Sequence, residues 1–128
     1  MATRFRPLSP HLQVYRFTLT MTMSIVHRGT GVALYFGTLL IVLWLGAAAL
    51  GEAPFALVNW VFGWWVVQAI LFLATWALFH HMLGGVRHFV WDTVRALEPM
   101  SREWIVRVQL LGSVVLTLAA WALFVWFK

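Results

Sequence analysis

The chain has 128 residues, 62% of them hydrophobic and only 10% charged, with a mean hydropathy of +0.86. This excludes an ordinary soluble globular protein and bounds the chain to one domain over residues 1–128. There is no cysteine, so disulfides, iron–sulfur ligation and thiolate sites within the chain are ruled out. The formal charge of +5 would suit a polyanion such as nucleic acid, but its placement argues for membrane topology instead.

Residues 1–16 are polar, with Pro7 and Pro10 favouring extended or turn conformations. Ser9 before Pro10 reads as a helix cap followed by proline at the first helical position, so a short interfacial segment is expected there. Over residues 18–23 threonine alternates with leucine or methionine, which alone is a strand pattern. A lone strand cannot satisfy its backbone in lipid, so this stretch is read as an interfacial lead-in.

Three stretches, 29–51, 54–79 and 108–127, lack any Asp, Glu, Lys, Arg or His. Each reaches the roughly 20 residues needed to cross a hydrocarbon core of about 30 Å. The predicted fold is therefore an all-α membrane protein with three transmembrane helices, over about 24–51, 55–91 and 104–127. A short outer turn, Glu52-Ala53-Pro54, joins the first two. The second span exceeds what the bilayer needs, so its last turns, from Arg87, are expected to project into headgroups or the helix to tilt. An inner loop over 96–101 contains Pro99, and several of the nine tryptophans fall near predicted interfaces.

Eight of the nine Lys and Arg residues lie on one side: Arg4, Arg6, Arg16 and Arg28 before the first span, and Arg87, Arg95, Arg102 and Arg107 around the inner loop. The positive-inside rule makes that side cytoplasmic, with the C-terminus outside. No span resembles a cleaved signal, and the basic front lacks an amphipathic Arg/Ser-rich leader, so a bacterial inner-membrane, multi-pass chain is expected.

His81 is the residue that points most directly to chemistry. It ends a long apolar run, and an ionisable side chain there marks a functional site by default. Gly84 and Gly85 follow at i+3 and i+4, which leaves room for another helix or a flat macrocycle. A neutral imidazole suits iron, so His81 is read as a haem ligand in preference to a structural hydrogen-bonding residue. His88 shares its face two turns on, about 10.5 Å away, at a depth better suited to a haem propionate or a proton path. His80 points about 100° away and reads as a packing residue. No other apolar stretch carries a second histidine to complete the coordination.

At the start of the first span, Ser24, His27 and Arg28 stand at i, i+3 and i+4 on one face. A hydroxyl, an imidazole and a guanidinium there suit quinone carbonyl oxygens or porphyrin carboxylates. A snorkelling Arg28 beside a capping Ser24 is the bland alternative. Asp92, four residues beyond His88, reads most simply as an ion-pair partner of Arg87 or Arg95. Soluble-enzyme constellations, such as glycine-rich phosphate loops or paired carboxylates, are absent.

Three segments together resemble the larger, cytochrome b anchor subunit of succinate dehydrogenase: Arg6-Pro7-Leu8-Ser9-Pro10-His11-Leu12, Ser24-Ile25-Val26-His27-Arg28-Gly29-Thr30-Gly31, and His81 through Asp92 with its Gly84-Gly85-Val86-Arg87-His88 centre. The resemblance covers almost the whole chain. It implies that His81 supplies one axial ligand to haem b, with a second, smaller anchor subunit supplying the other. It implies that Ser24 and Arg28 line a ubiquinone site beside the iron–sulfur subunit, and that His27, Arg28 and His88 lie near the haem propionates. A flavoprotein subunit completes the assembly, the surrounding partner is membrane lipid, no nucleic acid is involved, and no catalytic residue acts on this chain alone. Two rivals remain on the residues themselves. A self-sufficient cytochrome b would need a second intramembrane histidine facing His81. A transporter would keep an ionisable group at mid-membrane, and a purely structural anchor would bind no haem.

Overall fold

The computed structural model describes residues 15–127 and contains four helices: α1 (Leu19–Leu50), α2 (Glu52–Phe62), α3 (Trp65–Asp92) and α4 (Pro99–Trp126). Three of them, α1, α3 and α4, are long and apolar enough to span a membrane. The expected segment around Ser9 and Pro10 lies outside the described residues.

The first span starts earlier than the sequence pattern suggested. Thr18 is extended and its Oγ1 accepts from the Met21 amide, while its carbonyl accepts from the amides of Met21 and Thr22. The alternating Thr/Leu stretch is thus the first turn of α1, because a helix satisfies its own backbone where a lone strand could not. Ser24 lies more than a turn inside α1 and is not a cap.

The second predicted span, 55–91, is broken. Gly51, at φ 113°, ends α1 and opens α2, so residues 52–54 are the first turn of a helix and not a loop. Glycine suits that left-handed backbone, and Pro54 is tolerated in a first turn whose amides have no partner in the helix. α2, of 11 residues, is too short to cross a bilayer. It folds back along α1, where Trp44 Nε1 donates to Asn59 Oδ1 at 3.0 Å and Trp44 meets Phe55 edge-on. The chain then turns at Gly63 and the extended Trp64. Such a break exposes carbonyls, and the Gln68 side chain covers one by donating to Phe62 O. No proline or charge marks this elbow, which is why the apolar run reads as continuous.

α4 also begins earlier than predicted, with Glu98 as its N-cap and Pro99 at its first position. The connection from α3 is short, and Val94 and Ala96 both take positive φ, 59° and 55°, to make it.

α3 is the central helix and packs on both α1 and α4. The α3/α4 seam is polar and close: Gln109, Ser113 and Thr117 are buried one turn apart on α4, and a Cβ on Gly112 would stand 3.1 Å from Leu83 Cδ1. Trp121 Nε1 reaches Thr75 Oγ1 at the far end of the seam. Lipid tails give no hydrophobic drive for helix association, so close approach and hydrogen bonds hold such seams together. Large apolar side chains face outward instead, over most of all three spans.

Candidate functional site

His81, half-buried on α3, faces the first motif on α1. Its Nδ1 lies 3.1 Å from the backbone carbonyl oxygen of His27 and 3.4 Å from Thr30 Oγ1. A carbonyl only accepts, so in neutral His81 the proton is on Nδ1 and the lone pair on Nε2. Nε2 has no hydrogen-bond partner among the described residues. An imidazole that gives one N–H to a backbone carbonyl and presents the other nitrogen bare is the usual state of a metal-ligating histidine.

Two glycines make this arrangement possible, and only one is in the expected place. A Cβ on Gly31 would stand 3.0 Å from His81 Cε1, so Gly31 seats the His81 ring. Gly84 is buried, and a Cβ there would collide with the His27 ring and approach Gln109 Nε2 to 3.0 Å. Gly84 therefore makes room for His27 of α1, which is the helix-approach alternative of the reading given to the glycine pair. Gly85 meets nothing within 4 Å and leaves open space.

His27 does not stay with Ser24 and Arg28. Its ring stacks on His81 with centroids 4.0 Å apart and planes within 7°, and it lies 5.5 Å from the His88 ring. Face-to-face imidazoles cannot both aim a ring nitrogen at one atom between them, so His27 is not an opposing ligand to His81 on the same iron. Helical spacing grouped the three residues without regard to Gly84, whose missing side chain leaves room for the His27 ring against α3. Ser24 and Arg28 remain paired, with Arg28 Nη2 donating to Ser24 Oγ at 3.4 Å. Ser24 lines a cavity of about 340 Å³ with Thr20, Met21, Trp91, Leu97 and Arg102, while the Arg28 side chain stands exposed.

His88 is exposed, with its ring 5.5 Å from Trp91 as well as from His27. Arg87 departs from expectation. It is only 3% exposed, its guanidinium lies 4.9 Å over the Trp91 ring, and its Nε and Nη1 have no partner among the described residues. The cation is held against an aromatic face inside the bundle. Asp92 is exposed, and among the described residues it makes no ion pair; the one such pair there joins Arg107 and Glu103.

His80 is fully buried on the α4 side, as a packing residue should be. Gln109 Nε2 donates to both His80 Nε2 and the His80 carbonyl, each at 3.1 Å, and Trp76 stands beside the ring. Sequence reasoning passed over Gln109, Thr30 and Gly31. The first was findable as the sole amide in the apolar stretch 108–127, where an unpaired amide is costly. The other two looked like ordinary helix residues until α3 came against them.

A family model described as the succinate dehydrogenase/fumarate reductase transmembrane subunit matches residues 2–126. The chain belongs to this family. The succinate dehydrogenase cytochrome b556 subunit of Paracoccus denitrificans is 44% identical over 111 residues, covering 87% of this chain and 85% of that one. The cytochrome b556 subunit of Rickettsia felis is 31% identical over 121 residues, covering 91% and 90%. The mitochondrial cytochrome b560 subunit of Mus musculus is 34% identical over 118 residues, covering 88% and 67%. As a succinate dehydrogenase/fumarate reductase transmembrane subunit, the chain is a multi-pass inner-membrane anchor and part of an enzyme complex, with its three apolar spans as the membrane domain.

Proposed function

We propose that this anchor binds haem b through His81 Nε2 together with one histidine of a second, smaller anchor subunit, and forms part of a quinone-reduction site with Ser24 and Arg28. The observation that carries the haem reading is the 3.1 Å contact of His81 Nδ1 with the His27 carbonyl, which calls for the proton on Nδ1 and leaves Nε2 bare. The names cytochrome b556 and b560 of its relatives support the same reading. Bound haem would supply one-electron redox capacity within the membrane. The residues of this chain then have separate tasks. His81 would hold the iron, the His27 carbonyl orients that ring, and His27, Arg28 and His88 would offer donors to the propionate carboxylates.

At the quinone, Ser24 donates a hydrogen bond to a headgroup oxygen, and Arg28 stabilises negative charge as that oxygen is reduced. Electrons reach the headgroup from the iron–sulfur subunit, which receives them from the flavoprotein, so this chain positions and polarises without reacting. The basic end of the bundle, with Arg28, Arg95, Arg102 and Arg107, faces the cytoplasm and docks those subunits, while the C-terminus lies outside.

The test is the absorbance spectrum of the purified complex. His81→Leu should abolish the low-spin haem signal while the complex still assembles. An unchanged spectrum in that variant would remove His81 as ligand. A haem bound by this chain alone, at one per monomer, would remove the shared coordination.

A further inference from the structure

Thr30 is 5% exposed and lies on α1 one turn from His27. Its hydroxyl donates to the His27 carbonyl at 2.8 Å, so its proton is already used. Toward His81 Nδ1, at 3.4 Å, its oxygen can therefore only accept. The Nδ1 proton thus faces two oxygens, the His27 carbonyl at 3.1 Å and the Thr30 hydroxyl. Gly31, the next residue, leaves the His81 ring just enough room to reach both.

We propose that Thr30 is a positioning residue for the haem ligand: its hydroxyl, with the His27 carbonyl, forms an oxygen seat that fixes the His81 tautomer and ring rotation and raises the electron donation of Nε2. This deepens the proposed function and rests on His81 being the ligand. The physical basis is general, since a histidine whose far N–H is given to an acceptor is both better oriented and more basic toward its metal. A more basic ligand favours the ferric state, so weakening the seat should raise the haem potential. A threonine that merely bonds back to its own helix, as many do, would leave ligand electronics untouched when its hydroxyl is lost.

The experiment uses the whole complex, purified with its partner subunits, and compares wild type, Thr30→Val, Thr30→Ser and Gly31→Ala. The readouts are haem per flavin, redox potentiometry of the haem band, and the low-spin resonance spectrum of the oxidised haem. Thr30→Val, close in shape but without the hydroxyl, should keep haem yet show an upward-shifted midpoint potential and altered g-values. Thr30→Ser should restore both. Gly31→Ala, which pushes the ring away while Thr30 remains, should shift the potential in the same direction, so the seat is tested even where Thr30→Val fails to assemble. A wild-type potential and spectrum in Thr30→Val or in Gly31→Ala would overturn the proposal, as would a serine variant that behaves like valine. A wild-type complex without haem would remove the haem reading and this inference with it; a haem-bearing wild type with insensitive variants would remove this inference alone.

Discussion

The adjacent glycines of α3 provide a sharp test of the packing, because the structure assigns them opposite surroundings. Replacing glycine by alanine inside a helix gains about 1 kcal/mol of backbone propensity at either position. At Gly85 nothing within 4 Å opposes the new methyl group, so Gly85→Ala should be neutral or stabilising by up to about 1 kcal/mol. At Gly84 the methyl group meets the His27 ring and lies 3.0 Å from Gln109 Nε2. His27 cannot retreat freely, since its ring is also stacked 4.0 Å from His81. Overpacking of this kind costs about 1–3 kcal/mol, which cancels or exceeds the propensity gain. Gly84→Ala should therefore be less stable than Gly85→Ala by about 1–3 kcal/mol, and its α1/α3 contact should loosen around the two histidines. Thermal unfolding of the chain in detergent, followed by helical circular dichroism, ranks the variants directly. Equal stability of the two alanine variants would refute the assignment of Gly84 as the seat of His27.

Arg28→Ala should lower quinone reductase activity about 10- to 100-fold, since a hydrogen bond from a charged donor is worth roughly 1.5–3 kcal/mol, while succinate oxidation by a soluble dye stays intact. Loss of both activities would indicate failed assembly instead. Gln109→Leu strands the buried His80 Nε2 and should cost about 1–3 kcal/mol in the same unfolding assay. His80→Leu combined with Gln109→Leu should recover most of that loss, and strict additivity would contradict the pair. Gln68→Leu uncovers the Phe62 carbonyl at the elbow, so amide exchange over residues 63–68 should accelerate while the centre of α3 remains protected.

Much of the architecture was legible because membrane insertion is governed by properties that sum along the chain. Three uncharged stretches announced three spans, and the clustering of arginine announced which ends lie together. The elbow at Gly63-Trp64 was illegible because its compensation is a single side chain, Gln68, reaching back across the break. The early starts of α1 and α4 depend on Thr18 and on Glu98-Pro99, whose capping roles emerge only once the backbone direction is known.

The sequence by itself determined the apolar environment and the number of spans, which follow from composition and the length of the uncharged stretches, and its motifs carried the resemblance to the family. Only the tertiary structure decided which nitrogen of His81 is free, that His27 leaves Ser24 and Arg28 to stack on His81, and that Arg87 turns inward over Trp91. Helical spacing states which residues share a face, but not what the neighbouring helix brings against it. Here α1 brings the His27 carbonyl, Thr30 and Gly31, and those contacts between residues some fifty positions apart give the imidazole its direction.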